Sequence, residues 1–448
     1  MSRAMYLVIT TTLLLNVTTT ACTSDETKPY DTDGYSLAQL QDDFDQYVDK
    51  IYKVHPMTFT DKTVLERTIT AQRKLLRDGM SEMEFYSVVA PVGAAVRCGH
   101  TRTYLSTQGR DHFEDHGQCP PLEIRLVSNG LYVYKDFTPD EAIPLGSQVV
   151  SINTHPATEI IERMRASRWA DGTNITYKDY AINLSFARLY TLLYGGGLRF
   201  ELEIEAPDAS KPATQIVAAM TPNQIDQVDK ERYPPETDCK RLCTIFSEDN
   251  SYAVLTIKDF GYYENLDAFR GPVGEFFARL KSAGTGALII DLRGNDGGDP
   301  YCSSFVASHV IAEPVRYFAT GTPFYPDLVR PIPIPQHVFT GKLFVLTDGW
   351  CFSSTSHMLS LLHCHHRGVF IGEESGGSSA CNDASKMHEL KHTGLRLNLP
   401  QRTFATSARC LPNGQGIPPD IEVQPTIHDL IAGRDIVLEK AISLIESQ

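Results

Sequence analysis

Between positions 36 and 99 apolar residues recur every three or four positions, the period of a half-buried helix. Leu37, Leu40, Phe44, Tyr47, Val48 and Ile51 make one stripe, and the "SLAQ" at its start has capping-box spacing, with Ser36 and Gln39 as reciprocal partners. Asp61 is placed to cap a second helix that Gly79 would stop. Ser81 and Glu84 open a third, through "FYSVVAPVGAAV", with a kink expected at Pro91. Gly99 ends it, and His100 follows at once, before the strand-like "TRTYL". From about 119 the period shortens to two. "LEIRLVSNGLYVY" is two alternating runs around Asn129-Gly130, a hairpin pattern, and "LRFELEIEA" is a further strand.

From about Ser251 buried strands alternate with helices. "ALIIDL" (287–292) and "KLFVLT" (342–347) are continuous apolar runs, as strands covered on both faces require. The first leads into "RGNDGGD" and a helix, the second into "DGWCF" and the helical "SSTSHMLSLLHCHH"; "GVFIGE" starts a third strand. Right-handed crossovers between parallel strands bring such loops to one edge of the sheet. The chain of 448 residues therefore divides into a helical region at 36–110, a β-rich unit at 111–225, a Pro-rich polar linker at 226–250 and an α/β domain at 251–448.

The first 22 residues follow a different pattern. Arg3, an apolar stretch too short to span a membrane, and small residues up to Ala21 read as an export signal. It resembles a bacterial lipoprotein signal with Cys22 as the lipidated residue; ordinary cleavage after Ala21 is the alternative. Residues 23–35 read as a polar tether. The expected location is the bacterial periplasm or a membrane-anchored lipoprotein, with membrane contact only through that anchor. Ten cysteines in an exported chain permit disulfides, and Cys239 and Cys243 are candidate partners. A formal net charge of -14 argues against nucleic-acid partners, since no basic field draws in phosphates.

Two of the α/β loops carry reactive chemistry. One holds Gly294, Gly297 and Gly298, where backbone N–H groups can turn towards a ligand. The other, "GWCFSSTSHM" (349–358), holds Cys351, Ser353, Ser354, Thr355, Ser356 and His357 at a helix N-terminus. A hydroxyl nucleophile beside N–H donors that bind an oxyanion is what acyl transfer requires. The residues alone leave open which group attacks, whether His357 is the base, and whether Ser353 or Ser354 simply caps the helix. "HELKH" (388–392) matches a zinc pattern, with His388 and His392 as ligands and Glu389 as base. That chemistry needs a helix, and the flanking segments read as turn and strand, so neither a metal nor another cofactor is expected.

Five segments, in order, resemble the tail-specific, or C-terminal processing, serine peptidases: "AAVRCGHTRTYL", "GSQVVSINTHPATEII", "ALIIDLRGNDGG", "LTDGWCFSSTSHMLSLL…GVFIGEESGG" and "GIPPDIEV". The resemblance implies a ClpP/crotonase-like α/β catalytic domain, a PDZ-like β-rich domain and an N-terminal helical region. It implies cleavage of protein or peptide substrates by a nucleophilic Ser353, with the N–H of Gly297 or Gly298 and that of Ser354 as the oxyanion hole. The downstream Lys of the processing peptidases is replaced by Ser378. The tricorn-like branch, which uses a His, is matched by His100, 353 − 100 = 253 positions before the nucleophile. That branch orients its His with a carboxylate before the "GIPPD" segment. Here the stretch is "PNGQG", so Asn413 or Gln415 would serve. The alternative reading is a catalytically decayed peptide-binding lipoprotein of the same fold.

Overall fold

The computed structural model describes residues 33–209, 211–234 and 239–447. The export signal, Cys22 and most of the tether lie outside these residues. Among the described residues, no helix is long and apolar enough to cross a membrane.

The C-terminal half is built on a six-stranded sheet in the order Ile421–Glu422, Val369–Gly372, Lys342–Thr347, Ala287–Asp291, Tyr252–Ile257, Leu242–Phe246. All neighbours run parallel except the last, an antiparallel edge strand. All five residues of the central strand Ala287–Asp291 are buried, which is why its sequence shows no alternation. One face packs on helices Asp267–Ala283, Pro300–Val310 and Ser354–Cys364; the other is covered by Ile436–Glu446. The edge strand lies in the stretch read as a linker. There Cys239 and Cys243 form a disulfide, and helix Pro222–Arg232 crosses the boundary placed at 225. A second disulfide, Cys364–Cys410, fastens the end of the 354–364 helix.

The N-terminal helices are Leu37–Val54, Lys62–Arg73 and Glu82–Ala95, and both predicted capping boxes are formed. The second helix stops at Arg73, before the turn at Gly79, and the third continues through Pro91. This region is not a separate unit. Strand Arg102–Tyr104 pairs antiparallel with Arg396–Leu399, which pairs with Lys386–Glu389, and Leu390, Leu395, Leu397 and Leu399 are buried in the N-terminal core.

The β-rich unit pairs Leu122–Val127 with Gly130–Asp136, adds Gln148–Ile152, Arg199–Glu205 and Ala213–Ala218, and covers its sheet with helices Ala157–Ser167, Thr176–Asn183 and Phe186–Tyr194. The hairpin turn falls one residue earlier than expected: Ser128 and Asn129 take positive φ (48° and 63°), and Gly130 begins the strand. Asn is among the residues that tolerate this conformation.

Candidate active site

The loops after strands 287–291 and 342–347 meet, as parallel topology requires. Ser353 stands between strand and helix with φ 54° and ψ −125°, a conformation unusual for any residue with a side chain. It occupies the N-cap position of helix Ser354–Cys364, yet its side chain makes no capping hydrogen bond. The helix-cap role therefore does not account for this hydroxyl. The Ser353 side chain lies against the buried Cys381 thiol.

The glycine loop packs directly on this turn. A Cβ on Gly297 would lie 2.7 Å from Ser353 Cβ and 3.0 Å from Ser354 N, and Gly297 has φ 109°, so only glycine fits. Gly297 cannot be the free donor, however. Its N–H donates to Asn295 Oδ1 at 2.9 Å. Gly298 is held by its neighbours rather than by its own N–H: Phe260 N donates to Gly297 O and Asp299 N donates to Phe260 O, both at 2.8 Å. Among the described residues neither Gly298 N nor Ser354 N donates to a partner. Of the three predicted oxyanion donors, these two are free and Gly297 is a spacer.

Asn295, which the sequence did not single out, ties the loops together. Its Oδ1 also accepts from Thr355 Oγ1 at 2.7 Å, and its Nδ2 donates to Ile257 O at 3.0 Å. The only signal for it was its place between "RG" and "DGG".

His100 reaches the same cavity, of about 320 Å³, which is also lined by Arg102, Tyr263, Asp296, Gly297, Gly298, Ser353 and Asp383. The pairing of 102–104 with 396–399 brings it there: Arg102 lies opposite Asn398, whose Nδ2 donates to His100 O at 2.8 Å. The preceding Gly99 has its N–H on Asp171 Oδ1 (2.8 Å) and its carbonyl on Arg102 Nε (3.1 Å). The His100 ring packs on Phe352, centroids 4.7 Å apart, and Phe352 also stacks on Tyr177 of the β-rich unit at 4.5 Å. Burial holds the imidazole below its ordinary value, opposed by the charge of Asp383. A resting neutral ring is what a general base needs. No hydrogen bond links His100 to Ser353 in this ligand-free arrangement.

The expected orienter is not there. Asn413 and Gln415 are exposed, and neither bonds to His100, whose buried Nδ1 has no partner. The intervening chain is held elsewhere, with Gly414 O accepting from Thr173 N at 3.4 Å. The nearest acid is instead Asp383, its Oδ2 3.8 Å from His100 Nε2.

The rival groups are disposed of by burial. Cys351 is fully buried, donates to Leu292 O at 3.1 Å, and has its thiol pushed well above the usual range. A thiol so held is not a nucleophile. His357 is enclosed beside Tyr317 and Phe318, and burial pushes its imidazole down to about 3. Ser356 donates back to Ser353 O at 2.8 Å. Residues of "HELKH" form the end of strand Lys386–Glu389 and a turn, so the i, i+4 face of a zinc helix does not exist. His392 Nε2 contacts Asp42 at 2.8 Å instead.

Comparison with known proteins decides the class. The model of Peptidase family S41 matches residues 251–423. This segment is a Peptidase family S41 domain. The match marks residues 251–423 as a serine-type peptidase domain. Among solved structures, mature CPAF matches 92% of this chain and 99% of its own at 14% identity, with a TM-score of 0.62. Mature CPAF complexed with lactacystin matches 92% and 100% at 13% identity, also with a TM-score of 0.62. The photosystem II D1 C-terminal processing protease matches 89% and 98% at 14% identity, with a TM-score of 0.42. No curated protein sequence matches the chain. The likeness to CPAF extends beyond the S41 domain to the helical region and the β-rich unit.

Proposed function

We propose that the chain is an exported serine endopeptidase in which Ser353 attacks the peptide carbonyl and His100 is the general base. The observation that carries this reading is the state of Ser353: a strained turn residue that caps nothing, beside two uncommitted N–H groups and in one cavity with a neutral-leaning histidine. Strain of this kind concentrates at functional sites.

In the first step Ser353 Oγ forms a bond to the carbonyl carbon and its proton passes to His100. The N–H groups of Gly298 and Ser354 receive the oxyanion. The C–N bond then breaks, the leaving amine takes the proton from the imidazolium, and an acyl-enzyme remains. Water attacks that ester carbonyl, giving a proton to His100; the C–O bond to Ser353 then breaks, Ser353 Oγ takes the proton back from the imidazolium, and the acid product leaves. No metal or cofactor enters this scheme. Proteins or peptides are the substrates. The β-rich unit, read as PDZ-like, and the α/β domain, read as ClpP/crotonase-like, would supply peptide capture and catalysis respectively. The signal pattern ending at Cys22 supports export to the periplasm, with lipidation at Cys22.

A fluorophosphonate probe tests the scheme. Wild type is labelled at Ser353, Ser353→Ala is not, and His100→Ala is labelled more slowly by about two orders of magnitude or more. Labelling that survives Ser353→Ala removes the nucleophile. A well-folded wild type with neither labelling nor turnover makes the chain a peptide-binding protein of this fold.

A further inference from the structure

We propose that Asp383 is the charge partner of His100, taking the place of the amide expected at Asn413 or Gln415, and that it acts through His100 as a positioning residue. The inference rests on the reading of His100 as general base.

Strand Ala380–Asp383 runs beside the catalytic pair, held antiparallel by Arg402–Ala405. Side chains two apart on a strand share a face. Cys381 and Asp383 are such a pair, and their partners match the arrangement: Cys381 lies against Ser353, and Asp383 lies against His100. One short strand therefore presents a small buried thiol to the nucleophile and a carboxylate to the base.

The carboxylate is fixed from its other side. Ser385 Oγ donates to Asp383 Oδ1 at 2.9 Å, which leaves Oδ2 to face His100 Nε2 at 3.8 Å. That separation is beyond a hydrogen bond. It is close enough for charge to favour the imidazolium, because an opposite charge within about 4–6 Å stabilises the ionised form. Nδ1, the other ring nitrogen, is buried and has no hydrogen-bond partner, so Asp383 is the acid that faces the ring.

The other groups that act on His100 do not replace Asp383. Arg102 opposes protonation. Asp296 favours it but ranks after Arg102 in effect. His357, buried on the nucleophile helix, carries no charge at neutral pH. Asp383 is the largest influence that favours a charged His100.

The test is the pH dependence of the second-order rate of fluorophosphonate labelling, in which Ser353 Oγ displaces fluoride from phosphorus and His100 takes the proton. The rate rises with pH as His100 loses its resting proton. In Asp383→Asn the maximal rate falls by about two to four orders of magnitude, the upper end being the cost of replacing a triad Asp with Asn. Its ascending limb also moves to lower pH, because the group that raises the imidazole value is gone. Asp383→Glu recovers part of the rate and moves the limb back. Asn413→Ala leaves the limb in place.

A lower rate in Asp383→Asn with an unmoved limb would show a merely structural role and overturn the proposal; so would a wild-type rate. A limb displaced in Asn413→Ala would return the role to that residue. If His100→Ala keeps the wild-type rate, the general-base reading itself fails, an outcome separate from any result at Asp383. Because the Asp383 side chain is 42% exposed at a strand end, Asp383→Asn is expected to fold, and a thermal melt confirms it.

Discussion

Thr355 donates its hydroxyl to Asn295 Oδ1 at 2.7 Å, and this bond joins helix Ser354–Cys364 to the glycine loop. The same oxygen holds Gly297 N, so one amide sets the spacing between the two halves of the proposed oxyanion hole.

Asn295→Ala removes an acceptor shared by two buried donors. Each donor left unsatisfied costs about 1–3 kcal/mol. The labelling rate is expected to fall by about two orders of magnitude, the scale of losing one oxyanion donor. Thr355→Val, which removes only one donor, costs less on both measures. Fluorophosphonate kinetics with thermal melts check the order. Equal effects from the two variants would mean that Asn295 does not couple the loops.

Ser353 offers a comparison of two inactive variants. Ser353→Ala keeps a side chain at φ 54° and ψ −125°, whereas Ser353→Gly releases that strain. Strain of this kind is worth about 1–3 kcal/mol, and glycine's extra unfolded-state entropy returns about 0.5–1 kcal/mol of it. Ser353→Gly is therefore expected to be more stable than Ser353→Ala by about 1 kcal/mol in chemical denaturation. A less stable glycine variant would show that the turn is not strained.

The sequence made some of this legible for physical reasons. Capping boxes and buried strands are local, so the N-terminal helices and the strands at 287–291 and 342–347 stand where the patterns place them. The turn that carries Ser353 was legible because a loop between a buried strand and a helix is a local signal, but the choice of Ser353 within it needed the resemblance. His100 needed the resemblance, since nothing in its neighbourhood announces the pairing of 102–104 with 396–399. Asp383 gave no signal at all: the role proposed for it depends on which face of a four-residue strand meets the cavity. Asn413 misled because position relative to the "GIPPD" segment does not fix where a side chain points. The edge strand Leu242–Phe246 was hidden because it is half exposed and sits in a Pro-rich stretch.

The two disulfides should differ in what they contribute. Cys364–Cys410 spans 46 positions and Cys239–Cys243 spans 4. Loop-closure entropy then assigns about 4 kcal/mol to the first and about 2 kcal/mol to the second. Replacing the pair Cys364 and Cys410 with Ala should lower the melting temperature more than replacing Cys239 and Cys243, measured by calorimetry under non-reducing conditions. The reverse order would place the strain or the residual structure of the unfolded chain above loop length.

Asp171 should make the fold less stable as pH rises. Burial pushes its carboxyl up to about 7 against an unfolded value near 3.9, while Gly99 N and Arg102 pull the other way. Between about pH 4 and 7 the folded chain therefore binds a proton that the unfolded chain has released. By linkage, stability falls across that window as pH rises. Asp171→Asn keeps an oxygen for the Gly99 N–H and carries no charge to bury, so part of the decline disappears. Glu373, which burial also pushes up to about 7, contributes in the same direction in both proteins. Urea midpoints at pH 4.5 and 7.5 read the difference: the change in stability between the two pH values is less favourable for the wild type than for Asp171→Asn, the buried His55 and His357 acting equally in both proteins. Equal changes would mean that Asp171 is already ionised in the fold, and that the backbone bond which holds Gly99, and with it His100, is made by a charged carboxylate.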